Sequence, residues 1–140
     1  MCLNFNIPEN LFPDVDYRAL SGLSLAFIGD AVYELFIRNY VLSRGEARVK
    51  DLHRDTVRLV NADFQADISD IIMPHLAEDE LAVFKRGRNA HAGHTPKNKS
   101  EAQYHKSTGF EALVGYLYLK KDFSRLSFIF SFACTEDENG

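Results

Sequence analysis

The chain has 140 residues, a formal net charge of -4, 46% hydrophobic residues and 12% aromatics. That length suits one domain built on one core, and the composition excludes a disordered tail. No stretch makes an uncharged membrane span, because Asp30, Glu34 and Arg38 interrupt the longest apolar run, so no membrane partner is expected. The start, MCLNFNIPENLFPD, lacks the basic and apolar regions of a secretion signal and is too acidic for a transit peptide. Cys2 and Cys134 have no cysteine partner at metal-ligand spacing. Two thiols in a reducing cytosol is the expectation, and with it a cytoplasmic location.

Residues 1–20 carry Pro8 and Pro13 and little periodicity. They read as an irregular arm with a short helical turn near Tyr17. Ser21–Leu42 is almost continuously apolar and reads as a central helix capped by Ser21 and stopped at Arg44-Gly45. A second helix is predicted from Val49 to Phe64, on the helical spacing of Leu52, Thr56, Leu59, Val60 and Phe64, continuing or restarting through Ala66–Ile72 until Pro74. The next runs from Ala77 to Arg88, with three acids in its first turn and Lys85, Arg86 and Arg88 in its last, which suits the helix dipole. Asn89–Asn98 is a loop by composition. A helix follows from Ser100 to Leu119. The segment SRLSFIFSFAC has helical spacing, with a strand as the alternative, and TEDENG is a solvated tail. With no period-2 pattern, repeat or linker, the fold class is all-α.

Two carboxylates stand out. Asp30 follows Gly29 in the apolar helix, and Glu111 precedes Gly115 in the apolar FEALVGYLYL. A glycine inside a helix costs roughly 1 kcal/mol relative to Ala, so it marks a close approach by another backbone. If the two helices cross at Gly29 and Gly115, the acids meet. Two carboxylates at short range cannot both stay ionised unless a cation joins them, and oxygen-only ligands favour Mg²⁺ or Mn²⁺. Such an ion lowers the pKa of a bound water and stabilises charge on a phosphate oxygen. Two plainer readings stand beside this one. Thr108-Gly-Phe-Glu111 fits a capping box at a helix restart, and Asp30 has Arg38 or another core base as a possible mate. Glu34 and Arg38 read as an i,i+4 ion pair.

Charge is unevenly spread. Lys85, Arg86, Arg88, Lys97, Lys99 and Lys106, with His91, His94 and His105, fall in one stretch against Glu101 alone. This local basic region would hold a phosphate backbone or stand as a solvated face. His91-Ala-Gly-His94 is a weak metal signal without a third ligand. Phe27, Tyr33 and Phe36 read as core or interface side chains.

LAFIGDAVYEL (Leu25–Leu35) resembles the signature helix of ribonuclease III-type domains, and FEALVGYLYL (Phe110–Leu119) resembles their second catalytic segment. KRGRNAHAGHTPKN (Lys85–Asn98), followed by YHKSTGFEALVGYLYL (Tyr104–Leu119), resembles the mini-ribonuclease III branch, which has the catalytic domain without a double-stranded-RNA-binding domain. The resemblance covers residues 16–130 in order. It implies a compact all-α endonuclease domain, a homodimer, that cuts double-stranded RNA with Mg²⁺, for which Mn²⁺ can substitute. It also implies work on the large-subunit ribosomal RNA precursor. Carried over, the signature Asp is Asp30 and the late Glu is Glu111. RGRNA and PKN would contact RNA, which with Lys99 gives Arg86, Arg88, Asn89, Lys97, Asn98 and Lys99 as the RNA-binding set.

Other acids of the full-length enzymes are replaced here by Leu23, Ala26 and Thr108. The mini branch resembles this chain in lacking them, which implies a weaker metal site completed by water and substrate phosphate. One small domain has few contacts with which to specify a sequence, so a ribosomal-protein helper or the RNA fold would set the cut. The rival readings are a non-catalytic RNA-binding or ribosome-assembly module on the same fold, and a phosphohydrolase acting through the histidines.

Overall fold

The computed structural model describes residues 11–45, 48–90 and 100–140. Six helices carry these residues, and no strand occurs among them: α1 (Gly22–Ser43), α2 (Val49–Val60), α3 (Ala62–Ile72), α4 (Glu78–Arg88), α5 (Glu101–Leu119) and α6 (Phe123–Asn139). Single 3₁₀ turns occupy Tyr17–Ala19 and Met73–His75, the second holding Pro74. The all-α expectation holds, and the strand alternative for the last segment does not.

Local chemistry sets the boundaries. The Ser21 hydroxyl accepts the Ser24 N–H at 3.1 Å and starts α1 as expected. Gly45, at φ 88°, ends it in the left-handed conformation that favours glycine. The expected helix over 49–64 is two helices. Asn61 adopts extended backbone, and its side-chain oxygen accepts the Phe64 N–H at 2.9 Å, which caps α3. The Glu80 carboxylate accepts the Ala77 N–H at 2.7 Å at the head of α4 and is held by Arg125 of α6. Ser100 caps α5 and Asp122 caps α6.

The core gathers on α5. Phe110, Ala112, Leu113, Val114 and Leu117 are all fully buried, and α1, α3, α4 and α6 pack around them. The organising axis is therefore shared by α1 and α5. Tyr33 of α1 meets Phe110 edge to face with ring centres 5.1 Å apart, and Phe36 stacks on Phe130 of α6 at 4.1 Å. The Tyr33 hydroxyl donates to the carbonyl of Leu59 at 2.8 Å, tying α1 to α2. Tyr33 and Phe36 are core, as expected.

The tail differs from its expectation. Helix α6 continues through Asn139, and the side chain of Asp137 is only 4% exposed. It accepts hydrogen bonds from Tyr40 (2.8 Å), Arg44 (2.9 Å) and Arg58 (2.6 Å). Burial alone would push its carboxyl up. The bonds from Arg58 and Tyr40 and the two guanidinium charges outweigh that and hold it below the usual carboxylate range. An acidic tail is solvated by composition alone; here α1 and α2 supply partners that the local sequence does not reveal.

Candidate active site

Helices α1 and α5 cross with backbone against backbone. A Cβ built on Gly29 would lie 1.7 Å from the carbonyl oxygen of Glu111, and one on Gly115 would lie 2.0 Å from that of Leu25. Only glycine permits this approach. It sets Asp30 beside Glu111, close enough for the Asp30 carboxylate to act on the Glu111 carboxyl.

Their surroundings differ. Asp30, expected on a buried surface, is exposed, because it stands at the outer edge of the crossing. Glu111 is largely enclosed. Burial, then the charge and hydrogen bond of Asp30, push its carboxyl up to about 9, against a smaller lowering by Gln65. Glu111 thus keeps its proton at neutral pH where no cation is bound. The donor set is oxygen, two carboxylates wide and open to solvent on the Asp30 side. That suits Mg²⁺, which keeps several waters and takes one or two carboxylates plus substrate phosphate. Among the described residues no cluster of three or more His, Cys, Asp or Glu side chains could hold a metal, which agrees with non-acidic residues at positions 23, 26 and 108.

The plainer readings of both acids fail. Helix α5 runs unbroken from Glu101 to Leu119, so Thr108 and Glu111 cap no restart; the Thr108 hydroxyl donates instead to the carbonyl of Tyr104 at 3.1 Å. Arg38 is engaged by Glu34 at 2.7 Å, the expected i,i+4 pair, which leaves Asp30 to Glu111.

Sequence reasoning missed Gln65. This α3 residue is 1% exposed, and its amide Nε2 donates to Oε2 of Glu111 at 3.5 Å. A neutral amide between two helical stretches gives no signal of chemistry.

The basic end of α4 is seated on both helices of the crossing. A Cβ on Gly22 would lie 2.9 Å from the carbonyl oxygen of Arg86, and one on Gly109 would lie 3.2 Å from Cβ of Arg88. Arg86 is exposed and donates to the carbonyl of Leu20; Arg88 donates to the side chain of Asn89, the C-cap of α4. Lys106 leaves the group, paired with Asp70 of α3 at 2.8 Å. Lys97, Asn98 and Lys99, with His91 and His94, lie outside the described residues.

Phe27 is 82% exposed on α1, three residues before Asp30. Beside it on the same helix opens an apolar cavity of about 400 Å³, lined among others by Val15, Ile28, Ala31, Leu35 and Tyr118. No helix among the described residues is long and apolar enough to cross a membrane.

A family model described as the ribonuclease III domain matches residues 23–122, which spans α1 to α5. A mini-ribonuclease 3 from Symbiobacterium thermophilum is 50% identical over 121 residues, 86% of this chain and 93% of that protein. Another from Clostridium tetani is 44% identical over 82% of this chain and 77% of its own length. A crystal structure of a Fusobacterium nucleatum protein superposes with a TM-score of 0.79 at 33% identity, covering 87% of this chain and 98% of that one.

Proposed function

The chain belongs to the ribonuclease III family and is an endoribonuclease, and from that premise we propose that it cuts double-stranded RNA with Mg²⁺ at Asp30 and Glu111. Mn²⁺ can take its place. The substrate the family resemblance implies is the large-subunit ribosomal RNA precursor, with a ribosomal-protein helper or the RNA fold fixing the cut.

The observation that carries this reading is the Asp30–Glu111 pair, set side by side where α1 and α5 cross backbone to backbone at Gly29 and Gly115. A divalent cation bound there supplies an acidified water and charge stabilisation for a phosphodiester oxygen. The chain's own part is geometric. Glu111 presents a carboxylate from the enclosed side, and Asp30 presents one at the mouth that substrate reaches. Two helices locked at the backbone keep the separation fixed. Arg86, Arg88 and Asn89, together with Lys97, Asn98 and Lys99, hold the phosphates. A-form RNA is read there by shape and 2′-hydroxyls.

The test is Asp30→Asn on a long duplex with Mg²⁺ or Mn²⁺. Cleavage is expected to fall at least about a hundredfold, while binding of the duplex in chelator stays near the parent's. Cleavage at the parental rate would remove the site. A parent that binds duplex but cuts it with neither ion would favour a non-catalytic RNA-binding or ribosome-assembly module.

An exposed face of α1 supports the homodimer. Phe27 and the neighbouring cavity share one helix face with Ala31 and Leu35, so two copies related by a two-fold axis would each seat Phe27 in the other's cavity. The dimer sets one Asp30–Glu111 site for each strand of a duplex. Phe27→Asp should halve the mass seen by sedimentation and leave the helical circular dichroism unchanged. A parent that sediments as a monomer, or a Phe27→Asp variant that stays dimeric, would overturn this.

A further inference from the structure

We propose that Gln65 is a positioning residue for the cation site: its amide fixes one oxygen of Glu111 so that the other is presented toward Asp30. The proposal rests on the reading of Asp30 and Glu111 given above and adds a third residue to it.

Gln65 is 1% exposed, on the face of α3 turned toward α5, with Ala66, Ile68 and Ser69 fully buried around it. A buried amide left without partners costs on the order of 1–3 kcal/mol, so its presence in this core requires a use. Its donor is spent on Oε2 of Glu111, at 3.5 Å. The contact is long for a neutral pair.

The residue type fits the role. A third carboxylate would add repulsion to two acids already side by side. A lysine would neutralise the pair and compete with a cation. An amide donates one hydrogen bond and leaves the net charge of the site intact.

Helix α3 is also held in register to do this. Asn61 caps its start, the Ser69 hydroxyl donates to the carbonyl of Gln65 at 2.8 Å, and Asp70 pairs with Lys106 of α5. Residues that orient a metal-binding carboxylate in this way typically set affinity by 10–100-fold (as an order of magnitude).

The experiment measures Mn²⁺ binding to the full chain without RNA, by electron paramagnetic resonance of the free ion, for the parent, Asp30→Asn, Gln65→Met and Gln65→Asn. Methionine keeps the length and removes the donor. Asparagine keeps the amide but is one methylene too short to span a contact already 3.5 Å long. Both Gln65 variants are expected to weaken Mn²⁺ about tenfold. The half-saturating Mn²⁺ for cleavage should rise by the same factor, with KM for duplex and the rate at saturating Mn²⁺ within about twofold of the parent. A merely structural role would lower Tm and leave the Mn²⁺ Kd in place, and that result in either folded Gln65 variant overturns the proposal. Parental Mn²⁺ affinity in Asp30→Asn overturns the assignment of the site instead.

Discussion

Glu111→Gln should lose Mg²⁺-dependent cleavage by at least about a thousandfold, and in chelator it should be more stable than the parent. The two effects have one cause. Glu111 is kept protonated to about pH 9 by burial, then by the charge and hydrogen bond of Asp30. Glutamine is the neutral form made permanent: its amide nitrogen donates to Asp30, and its oxygen accepts from Gln65. Nothing is left to ionise, and one carboxylate ligand is gone.

The pH dependence carries the sign. A carboxyl whose folded pKa lies above its unfolded value holds its proton more tightly in the folded chain. From about 4.5 to about 9 the folded state therefore binds more protons than the unfolded one, and stability falls as pH rises through that window. Below it the acid is protonated in both states and costs nothing. The stability gained by Glu111→Gln should thus be negligible near pH 4 and grow toward pH 8 in urea titrations with chelator. Mn²⁺ should raise the parent's midpoint at pH 8 and leave that of the variant nearly unchanged. A variant that cuts duplex within tenfold of the parent, or whose stability tracks the parent's across pH, would show that Glu111 is a buried acid of no special role.

The meeting of Asp30 and Glu111 was legible in the sequence because each acid travels with a glycine. Gly29 and Gly115 have no reason to interrupt apolar helices except a neighbouring backbone, and that neighbour is what the structure supplies. Gln65 was not legible, since it carries no charge and the helix break before it lies a few residues earlier than the restart expected at Ala66. Leu59, Val60 and Phe64 keep helical spacing across the break, so the cap at Asn61 is hidden from periodicity. Asp137 fails for another reason. Its partners Tyr40, Arg44 and Arg58 stand 79 or more residues away, and composition speaks only for neighbours in sequence. Phe27 read as core or interface alike, and its exposure removes the core reading. Local rules thus recovered the elements and the meeting of the two acids. What depended on distant partners emerged only with packing.

Gly29→Ala should abolish cleavage and cost about 3 kcal/mol or more of stability. Helix propensity alone gives the opposite sign, since alanine is better than glycine in a helix interior by about 1 kcal/mol. The packing effect must win because the added Cβ would stand 1.7 Å from a backbone carbonyl oxygen, with further backbone atoms at 2.7 and 2.8 Å. No rotamer change relieves a clash with main chain. The helices must separate, and a small movement at this crossing parts Asp30 from Glu111. Gly45→Ala is the control. Nothing lies within 4 Å of its Cβ, but φ is 88°, so its cost is the left-handed strain of about 1–2 kcal/mol with cleavage retained. Thermal melts should place Gly29→Ala roughly 10 °C below the parent and well below Gly45→Ala. Equal melting of Gly29→Ala and the parent would mean that the backbone contact does not set the spacing of the two acids.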